Sequence, residues 1–287
     1  MAKFGLTYIL ALEPIDGDSI EISMPFSIDF SVSRSMTGGA NTANFTIYNL
    51  NEDTQNKIYK DPFVMEFRAI QLFAGYDDDV TKMLPMLFNG QIKGAYSMRQ
   101  GTEFRTEIEA FDGAFAMTQG NVNQSQAAGQ TLKETMLGMM NSLPNIEGAT
   151  VGKGFDQKTQ RGQVLMGNPA EYLKMLSSNR FFIDKNHAYV LADDEVLEGD
   201  IETIDASTGL IGTPKKSGQV IEVELIFEPR ITLAQSLELI SETNKAFSGV
   251  YKVIEVVHSG TISPSVSSNV TTKLKLYNGS PYVQVSK

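Results

Sequence analysis

Polar and apolar residues alternate with a period of two in segments near both ends of the chain. Residues 44–49 and 102–111 show this pattern in the first third, and residues 221–227 and 272–276 show it in the last third. Successive side chains of a strand point to opposite faces, so the pattern predicts strands with one buried face. The residues on that face are Phe45, Ile47, Phe104, Thr106, Ile108, Ala110, Ile221, Val223, Leu225, Phe227, Thr272, Leu274 and Leu276.

Turn-forming residues separate the predicted strands of the first third. They occur at Asp16-Gly17, Gly38-Gly39, residues 75–79 and Asn89-Gly90. Short strands joined in this way favour an antiparallel barrel or sandwich. Residues 51–59 are predicted to form a short helix between these strands, because Asn51 is a suitable N-cap and Asp61-Pro62 would stop the helix.

Helical signals are concentrated in the middle of the chain. Residues 119–130 are small and polar and are predicted to be a linker. Thr131 and Glu134 form a capping box before a helix that Pro144 would end. Asn168-Pro169 gives a cap and an N1 proline for a second helix, with Glu171 at N3. A hairpin follows over residues 181–191, with a turn from Asp184 to His187.

The fold class predicted from these patterns is mainly β with an α+β insert. Two antiparallel β-barrel or sandwich domains, residues 1–118 and 207–287, flank a small α+β domain, residues 119–206. A chain of 287 residues is long enough to bury a core in each of these units.

Composition restricts the partners and the compartment. The net charge of −10 argues against tight binding of nucleic acid, since such binding needs clustered Lys and Arg. With no cysteine, disulfides, thiolate nucleophiles and cysteine-ligated zinc are ruled out. The first residues lack the features of a signal peptide, and no apolar run approaches the length of a membrane span. We therefore expect a protein folded in a cytoplasm with no membrane anchor.

Two acidic clusters were considered as metal sites. Asp77-Asp78-Asp79 and Asp193-Asp194-Glu195 have clustered carboxylates, which Ca²⁺ and Mg²⁺ favour, but neither has the spacing of a known calcium loop. Both are predicted to be solvated turns, so no metal site and no cofactor site are expected.

The sequence predicts no catalytic residue. His258 ends a predicted strand without a partner at metal-ligand spacing, and it is expected to be packed or hydrogen-bonded. His187 lies in a predicted turn and is expected to be exposed. The methionines of the first central helix, Met136, Met139 and Met140, favour a core over a binding surface. A pair of carboxylates for glycoside hydrolysis cannot be read from sequence spacing.

Several segments of the chain resemble the baseplate hub proteins of tailed phages, the late-control or hub family. The resemblance is carried by residues 209–214, 227–229, 231–240 and 249–258 near the C-terminus and by residues 43–50 in the first third. It also includes the order of helix, capped helix and hairpin between them.

The resemblance implies a non-enzymatic structural protein of the virion. Three copies would form a ring in which each contributes two tube-type β domains. One face, with pseudo-sixfold symmetry, would join the tail tube of a contractile tail, and the other would dock the central spike. The implied partners are a second and third copy, the tube protein, the spike protein and other baseplate proteins, with DNA as a passenger. Assembly in the host cytoplasm is implied as well.

Two other functions stay open at this point. A hydrolase of cell-wall polysaccharide or peptidoglycan would act through carboxylates that the sequence does not single out. A host-binding β module of the tail tip would need exposed aromatic side chains, and the chain contains no Trp.

Overall fold

The structure is a computed structural model that describes residues 5–37, 39–64, 66–77, 83–199, 201–265, 268–279 and 282–286. Strands hold 50% of the residues and helices 13%. The predicted fold class, mainly antiparallel β with few helices, is confirmed.

The secondary structure falls into three consecutive groups. The first contains β1 (Leu6–Leu12), β2 (Ile20–Ser23), β3 (Ile28–Ser35), β4 (Asn41–Tyr48), α1 (Glu52–Ile58), β5 (Ala69–Tyr76), β6 (Met86–Gln100) and β7 (Glu103–Asp112). The second contains α2 (Ala114–Gln119), β8 (Val122–Gln126), α3 (Leu132–Met140), β9 (Gly148–Val151), β10 (Gln163–Gly167), α4 (Pro169–Leu176), β11 (Phe181–Asp184) and β12 (His187–Val190). The third contains β13 (Glu195–Leu197), β14 (Glu202–Ile204), β15 (Leu210–Ser217), β16 (Val220–Ile226), β17 (Ser236–Leu239), β18 (Gly249–Ile262), β19 (Asn269–Tyr277) and β20 (Val283–Val285).

One large sheet joins the two ends of the chain. Its strand order is β15-β16-β19-β18-β3-β4-β7-β6-β5-β1-β2, and β17, with β14 beside it, pairs with the start of β18. Every pair along this path is antiparallel. Residues 255–262 of β18 pair with β3, while residues 249–252 pair with β17. The first and last thirds are therefore parts of a single sheet.

The alternation seen in the sequence gives this sheet one apolar face, which covers two cores. The first core lies under β1 to β7 and also takes in Phe227, Ile262 and Val270 from the last third. The second lies under β14 to β19 and also takes in Phe182, Tyr189 and Leu191 from the middle group. Each core thus contains side chains from a distant part of the chain, which ties the groups together.

The middle group has a core of its own. Helices α3 and α4 pack against the small sheet β11-β12-β9, and β8 pairs with β10 in a separate two-stranded ribbon. The predicted caps are confirmed: Thr131 and Glu134 form the capping box, and Asn168 accepts from the Ala170 amide. The predicted division at residues 118 and 206 stays a prediction.

Three local predictions were wrong. Residues 119–130 are not only a linker, because they contain β8, whose Val122 and Gln126 are buried. Gly75 and Tyr76 belong to β5 and not to a turn; Gly38, Asp78 and Asp79 lie outside the described residues. Helix α3 ends at Met140, four residues before Pro144, which was expected to end it, whereas the helix predicted over residues 51–59 is confirmed as α1.

Asn89-Gly90, predicted to be a turn, lies inside β6. Gly90 is required there by close packing, since a Cβ atom at this position would lie 2.5 Å from the Phe111 carbonyl oxygen and 2.8 Å from the Phe88 ring. A glycine inside a strand often marks such a close approach of backbone.

We predict that Gly90→Ala lowers the free energy of unfolding by about 1–3 kcal/mol, because the added methyl group overpacks the β6–β7 pair. Gly199→Ala is the matched control, since a Cβ atom there has nothing within 4 Å. Urea denaturation followed by far-UV circular dichroism measures both variants. Equal stability of the two variants would contradict the packing described here.

Candidate assembly site: the open sheet face and the buried polar junction

The face of the large sheet that points away from the cores is lined by small hydroxyl and charged side chains. Directly paired residues of neighbouring strands share a face, so the register of the sheet identifies this surface, which we call the open face. Its residues are Asp29, Ser31, Ser33, Ser35, Thr42, Asn44, Thr46, Tyr48, Arg105, Glu107, Glu109, Phe111, Glu222, Glu224, Ile226, Glu255, Val257, Ser259, Thr261, Thr271, Lys273 and Lys275. All are half-buried or exposed.

Lysines around the open face are paired with carboxylates on neighbouring strands. Lys275 Nζ lies 3.0 Å from Glu255 Oε2, and Lys273 Nζ lies 3.6 Å from Glu224 Oε1. At the other end of the sheet Lys93 forms a 3.0 Å pair with Glu109. Exposed pairs of this kind contribute about 0–1 kcal/mol each, so their main effect is on the charge that the face presents.

The end of the β6–β7 hairpin is apolar and open. Tyr96, Met98 and Phe104 are 47%, 40% and 43% exposed. Among the described residues, 96–100 of β6 pair only with β7, so their other edge is unpaired. Tyr96 and Met98 share one face of the hairpin, because they pair with Glu107 and Arg105, whereas Phe104 lies on the opposite face. We call Tyr96 and Met98 the hairpin patch. An apolar patch beside a free strand edge is typical of a protein contact surface.

Arg34 lies at the point where the three groups of elements meet. It occupies the core face of β3 after Ile28, Phe30 and Val32, and it is completely buried. Its Nη1 lies 3.2 Å from Asp184 Oδ2 in the middle group. Its Nη2 donates to the Ile231 carbonyl in the last third at 3.0 Å. One guanidinium thus connects all three groups.

Asn41 and Asp112 complete this buried polar junction. Asn41 Nδ2 lies within bonding distance of Asp184 Oδ1 at 3.1 Å and of Asp112 Oδ2 at 3.4 Å. Asp112 also accepts from the backbone amides of Lys185 and Asn186 at 2.6 and 3.2 Å. These two residues form the β11–β12 turn and have φ values of 54° and 59°, the left-handed conformation of a tight hairpin turn. The Asp112 carboxylate therefore holds the turn of the middle group against the end of β7.

Burial raises the pKa of Asp112 to about 7, and the negative charge of Asp184 adds to the effect. The two backbone amides and Asn41 act in the opposite direction. His258, on the neighbouring strand β18, is completely buried, and its Nδ1 lies 3.0 Å from Thr272 Oγ1. Burial lowers the pKa of His258 well below 6.5, with further lowering by Arg34 and Lys185, so it is neutral at physiological pH.

The outcomes for the two histidines differ. The prediction that His258 is packed and hydrogen-bonded is confirmed. The prediction that His187 is exposed in a turn was wrong: it starts β12, is half-buried, and stacks on Tyr189 with ring centroids 4.4 Å apart. Its Nε2 lies 2.9 Å from Thr150 Oγ1 on the adjacent strand. The turn consists of only two residues, which places His187 in the sheet.

The acidic cluster at residues 193–195 is only partly solvated. Asp193 is exposed and paired with Arg180. Glu195 is buried, contrary to expectation, because its carboxylate accepts from the Gly154 and Ala192 amides at 3.0 and 2.8 Å. Of the other cluster, Asp77 is described and Asp78 and Asp79 lie outside the described residues. The methionines Met136, Met139 and Met140 are fully buried, as the helical spacing predicted.

Within the described ranges, no cluster of His, Cys, Asp and Glu has the geometry of a metal site, and no helix is long and apolar enough to cross a membrane. Asp112 and Asp184, whose carboxylates both lie within bonding distance of Asn41 Nδ2, are 1% and 7% exposed. A polysaccharide has no access to carboxylates enclosed in this way. That no residue is catalytic or binds a cofactor or metal stays a prediction.

The junction was not predicted from the sequence, although two of its residues occupy unusual positions in the strand pattern. Arg34 stands at an apolar position of an alternating strand, and Asp112 stands at the end of another such strand. A charged residue at a core position needs a buried partner. What the sequence does not reveal is that the partner, Asp184, is 150 positions away.

The fold is that of phage tail and secretion-system proteins. A tail protein from Neisseria meningitidis MC58 superposes with a TM-score of 0.61 at 8% identity, covering 96% of this chain and 97% of that one. The 43 kDa tail protein of prophage MuSo2 from Shewanella oneidensis gives 0.61 at 8% identity, covering 94% and 97%. An Escherichia coli component of the type VI secretion system, described as structurally similar to the T4 tail proteins gp27 and gp5, gives 0.58 at 12% identity, covering 94% and 78%.

The chain belongs to the baseplate hub gp41 family, whose model matches residues 14–259. The resemblance to phage baseplate hubs is therefore confirmed, and the protein is a structural component of the phage tail. No curated protein matches the sequence.

We predict that Arg34→Met lowers the free energy of unfolding by about 3–5 kcal/mol, because it leaves the Asp184 carboxylate buried without its cation. The control is Arg180→Met, which breaks an exposed bidentate pair with Asp193 and should cost at most about 1 kcal/mol. Chemical denaturation at pH 7 measures both. Similar losses in the two variants would argue against a junction that depends on Arg34.

We also predict a pH dependence that arises from Asp112. The folded chain keeps this proton up to a pH of about 7, whereas the unfolded chain releases it near pH 4, so this group lowers stability as pH rises between those values. Asp112→Asn loses an acceptor and is expected to be less stable at pH 5 by about 1–3 kcal/mol. The difference from the unaltered protein should shrink by pH 8, since Asn carries no charge.

The measurement is urea denaturation of both proteins at pH 5, 6, 7 and 8. Taking the difference between them removes the contribution of His258, which has the opposite sign because its pKa is lowered. A difference that is constant with pH would contradict the assignment.

Proposed function

We propose that this protein is the hub of a phage tail baseplate, in which three copies form a ring between the tail tube and the central spike. Membership of the baseplate hub family over residues 14–259 is the observation that carries this proposal. The ring would lie in the virion, after assembly in the host cytoplasm, and DNA would pass through its centre. The protein is proposed to act by assembly and not as an enzyme.

The two β parts of the sheet support the change of symmetry. Each part has its own core, and the direct pairing of β3 with β18 holds the two side by side. We propose residues 1–118 and 207–287 as the two tube-type domains and 119–206 as the domain between them. Three chains would then place six such units around an axis, which fits a sixfold tube on one side and a threefold spike on the other.

The open face is proposed to line the bore. Its hydroxyl groups and its paired charges suit a surface along which DNA slides. Lys93, Lys273 and Lys275 each have a carboxylate within 4 Å, so they do not form a cluster of free cations that would retain the phosphate backbone. The net negative charge of the whole chain also repels the phosphate backbone of DNA.

The hairpin patch is proposed as a contact between neighbouring copies. Tyr96 and Met98 would be covered by the next chain, and the free edge of residues 96–100 would be covered with them. A contact between two different surfaces repeated by rotation closes a ring. The tube protein, the spike protein and other baseplate proteins would bind the two rims.

We predict that the purified chain forms a particle of three times 31.5 kDa in light scattering coupled to size exclusion, with rings in electron micrographs. Met98→Glu should raise the trimer dissociation constant by about tenfold or more, because a charge would be buried at the contact. Ile15→Glu, at an exposed apolar residue of the loop between β1 and β2, should have no effect. A strict monomer at high concentration would contradict the ring. A trimer that Met98→Glu leaves unaffected would contradict the hairpin contact.

A further inference from the structure

The β8–β10 ribbon of the middle group differs from the two end strands of the large sheet, β15 and β2. It has only two strands, with Gln163 to Gly167 of β10 paired to Gln126 to Val122 of β8. Leu165 is buried against the core below, whereas Val164 and Met166 are 64% and 62% exposed on the outer side. A two-stranded ribbon is marginally stable by itself, and a third strand would bury these side chains.

The outer edge of β10 carries backbone groups that no described residue pairs. The Tyr172 hydroxyl donates to the Met166 carbonyl at 3.0 Å, which shows that this carbonyl points away from β8. In an antiparallel ladder, backbone groups two residues apart point to the same side, so the N–H and C=O of Val164 point outward as well. These groups are a template for an added strand.

The ends of the large sheet lack this property. Strand β15 contains Pro214, Lys215 and Lys216 with an irregular register, and β2 has four residues with Glu21 among them. Charges, proline and bulges on an edge are the usual protection against unspecific pairing. The five residues of β10 include no charge and no proline.

The charge around the ribbon indicates the kind of strand that fits. Residues 119–131 and 157–170, which form the ribbon and its extension, carry Lys158 and Arg161 and no Asp or Glu, in a chain with a net charge of −10. Both side chains are exposed and form no ion pair within 4 Å among the described residues. Lys158 nevertheless acts on a neighbouring carboxylate, since hydrogen bonds from Thr131 lower the pKa of Glu134 and the charge of Lys158 lowers it further. An acidic segment would therefore be attracted to this site and repelled by most of the remaining surface.

We propose that the outer edge of β10 binds an extended, acidic segment of a partner protein as a third strand. Backbone bonds to Val164 would fix the register, and Val164 and Met166 would cover alternate apolar side chains of the partner. Lys158 and Arg161, which both precede β10, would pair with carboxylates at the end of the partner strand that lies beside Gln163. A protein strand is favoured over nucleic acid because the edge offers backbone donors and acceptors, and only two cations. This proposal does not require the ring, and its test works equally well on a monomer.

The probe is the peptide Ac-Asp-Val-Thr-Trp-Thr-Val-Glu-NH2, added to the full chain. The protein contains no Trp, so the fluorescence of the peptide reports binding directly. We expect a blue-shifted emission and saturable binding with a dissociation constant on the order of 10–100 μM, weakened by salt. Hydrogen exchange should slow at Val164 and not at residues 20–23 of β2.

Two variants separate the parts of the proposal. Val164→Pro removes an outward donor without touching the β8 pairing, and should weaken binding about tenfold or more. Lys158→Glu with Arg161→Glu should lose the acidic peptide and gain Ac-Lys-Val-Thr-Trp-Thr-Val-Lys-NH2. This gain of binding cannot result from misfolding. Ile15→Lys is the control and should bind as the unaltered chain does.

Four outcomes would overturn the proposal. The first is no saturable binding up to about 1 mM peptide, and the second is equal binding of both peptides by the double variant. The third is binding of a 20-base-pair DNA duplex that Val164→Pro leaves unchanged while the peptide fails to bind. The fourth is self-association of the chain that Val164→Pro abolishes. The last result would assign the edge to a second copy.

Discussion

Strand β18 pairs with different strands along its length, and the architecture depends on this change of pairing partner. Its first residues pair with β17, its later residues pair with β3, and β19 runs along its other side. The change of neighbour coincides with an irregularity in the β18–β19 register between Val253 and Glu255. A bulge bends a strand and increases its twist, which lets one strand serve two cores. Strand β18 thus connects the two β parts through its pairing with β3.

The buried polar junction adds specificity to that arrangement. Hydrophobic burial holds the three groups together but does not fix their angles, because apolar contacts have no preferred direction. The bonds of Arg34, Asn41 and Asp112 are directional, and each links elements from different parts of the chain. Desolvation of these groups is costly, so a misdocked arrangement that left one unpaired would be strongly disfavoured. The orientation of the middle group thus depends on a few polar atoms.

Period-two patterns and caps were enough to predict β4, β7, β16, β18 and β19 of the large sheet, both central helices and the hairpin over residues 181–191. These features are encoded by neighbouring residues. The predictions failed where a distant contact decided the local structure. A turn was predicted at Gly90 because the sequence does not show that Phe111 lies against this residue. Glu195 was predicted to be solvated because the sequence does not show that the Gly154 amide lies beside its carboxylate. The junction combines residues up to 197 positions apart, which no local pattern contains.

Phe227 has a consequence for biosynthesis. Its ring contacts Phe30 and Tyr76, with centroids 6.5 and 5.9 Å away, so it fills the core of the first third. A nascent chain cannot complete that core until the 115 residues from Gly113 to Phe227 have been synthesised after β7, and β3 stays without β18 for longer still. Until then the exposed apolar surface and strand edges are open to wrong partners. The large sheet is complete only when synthesis has almost finished, because β18 and β19 lie close to the C-terminal end of the sequence.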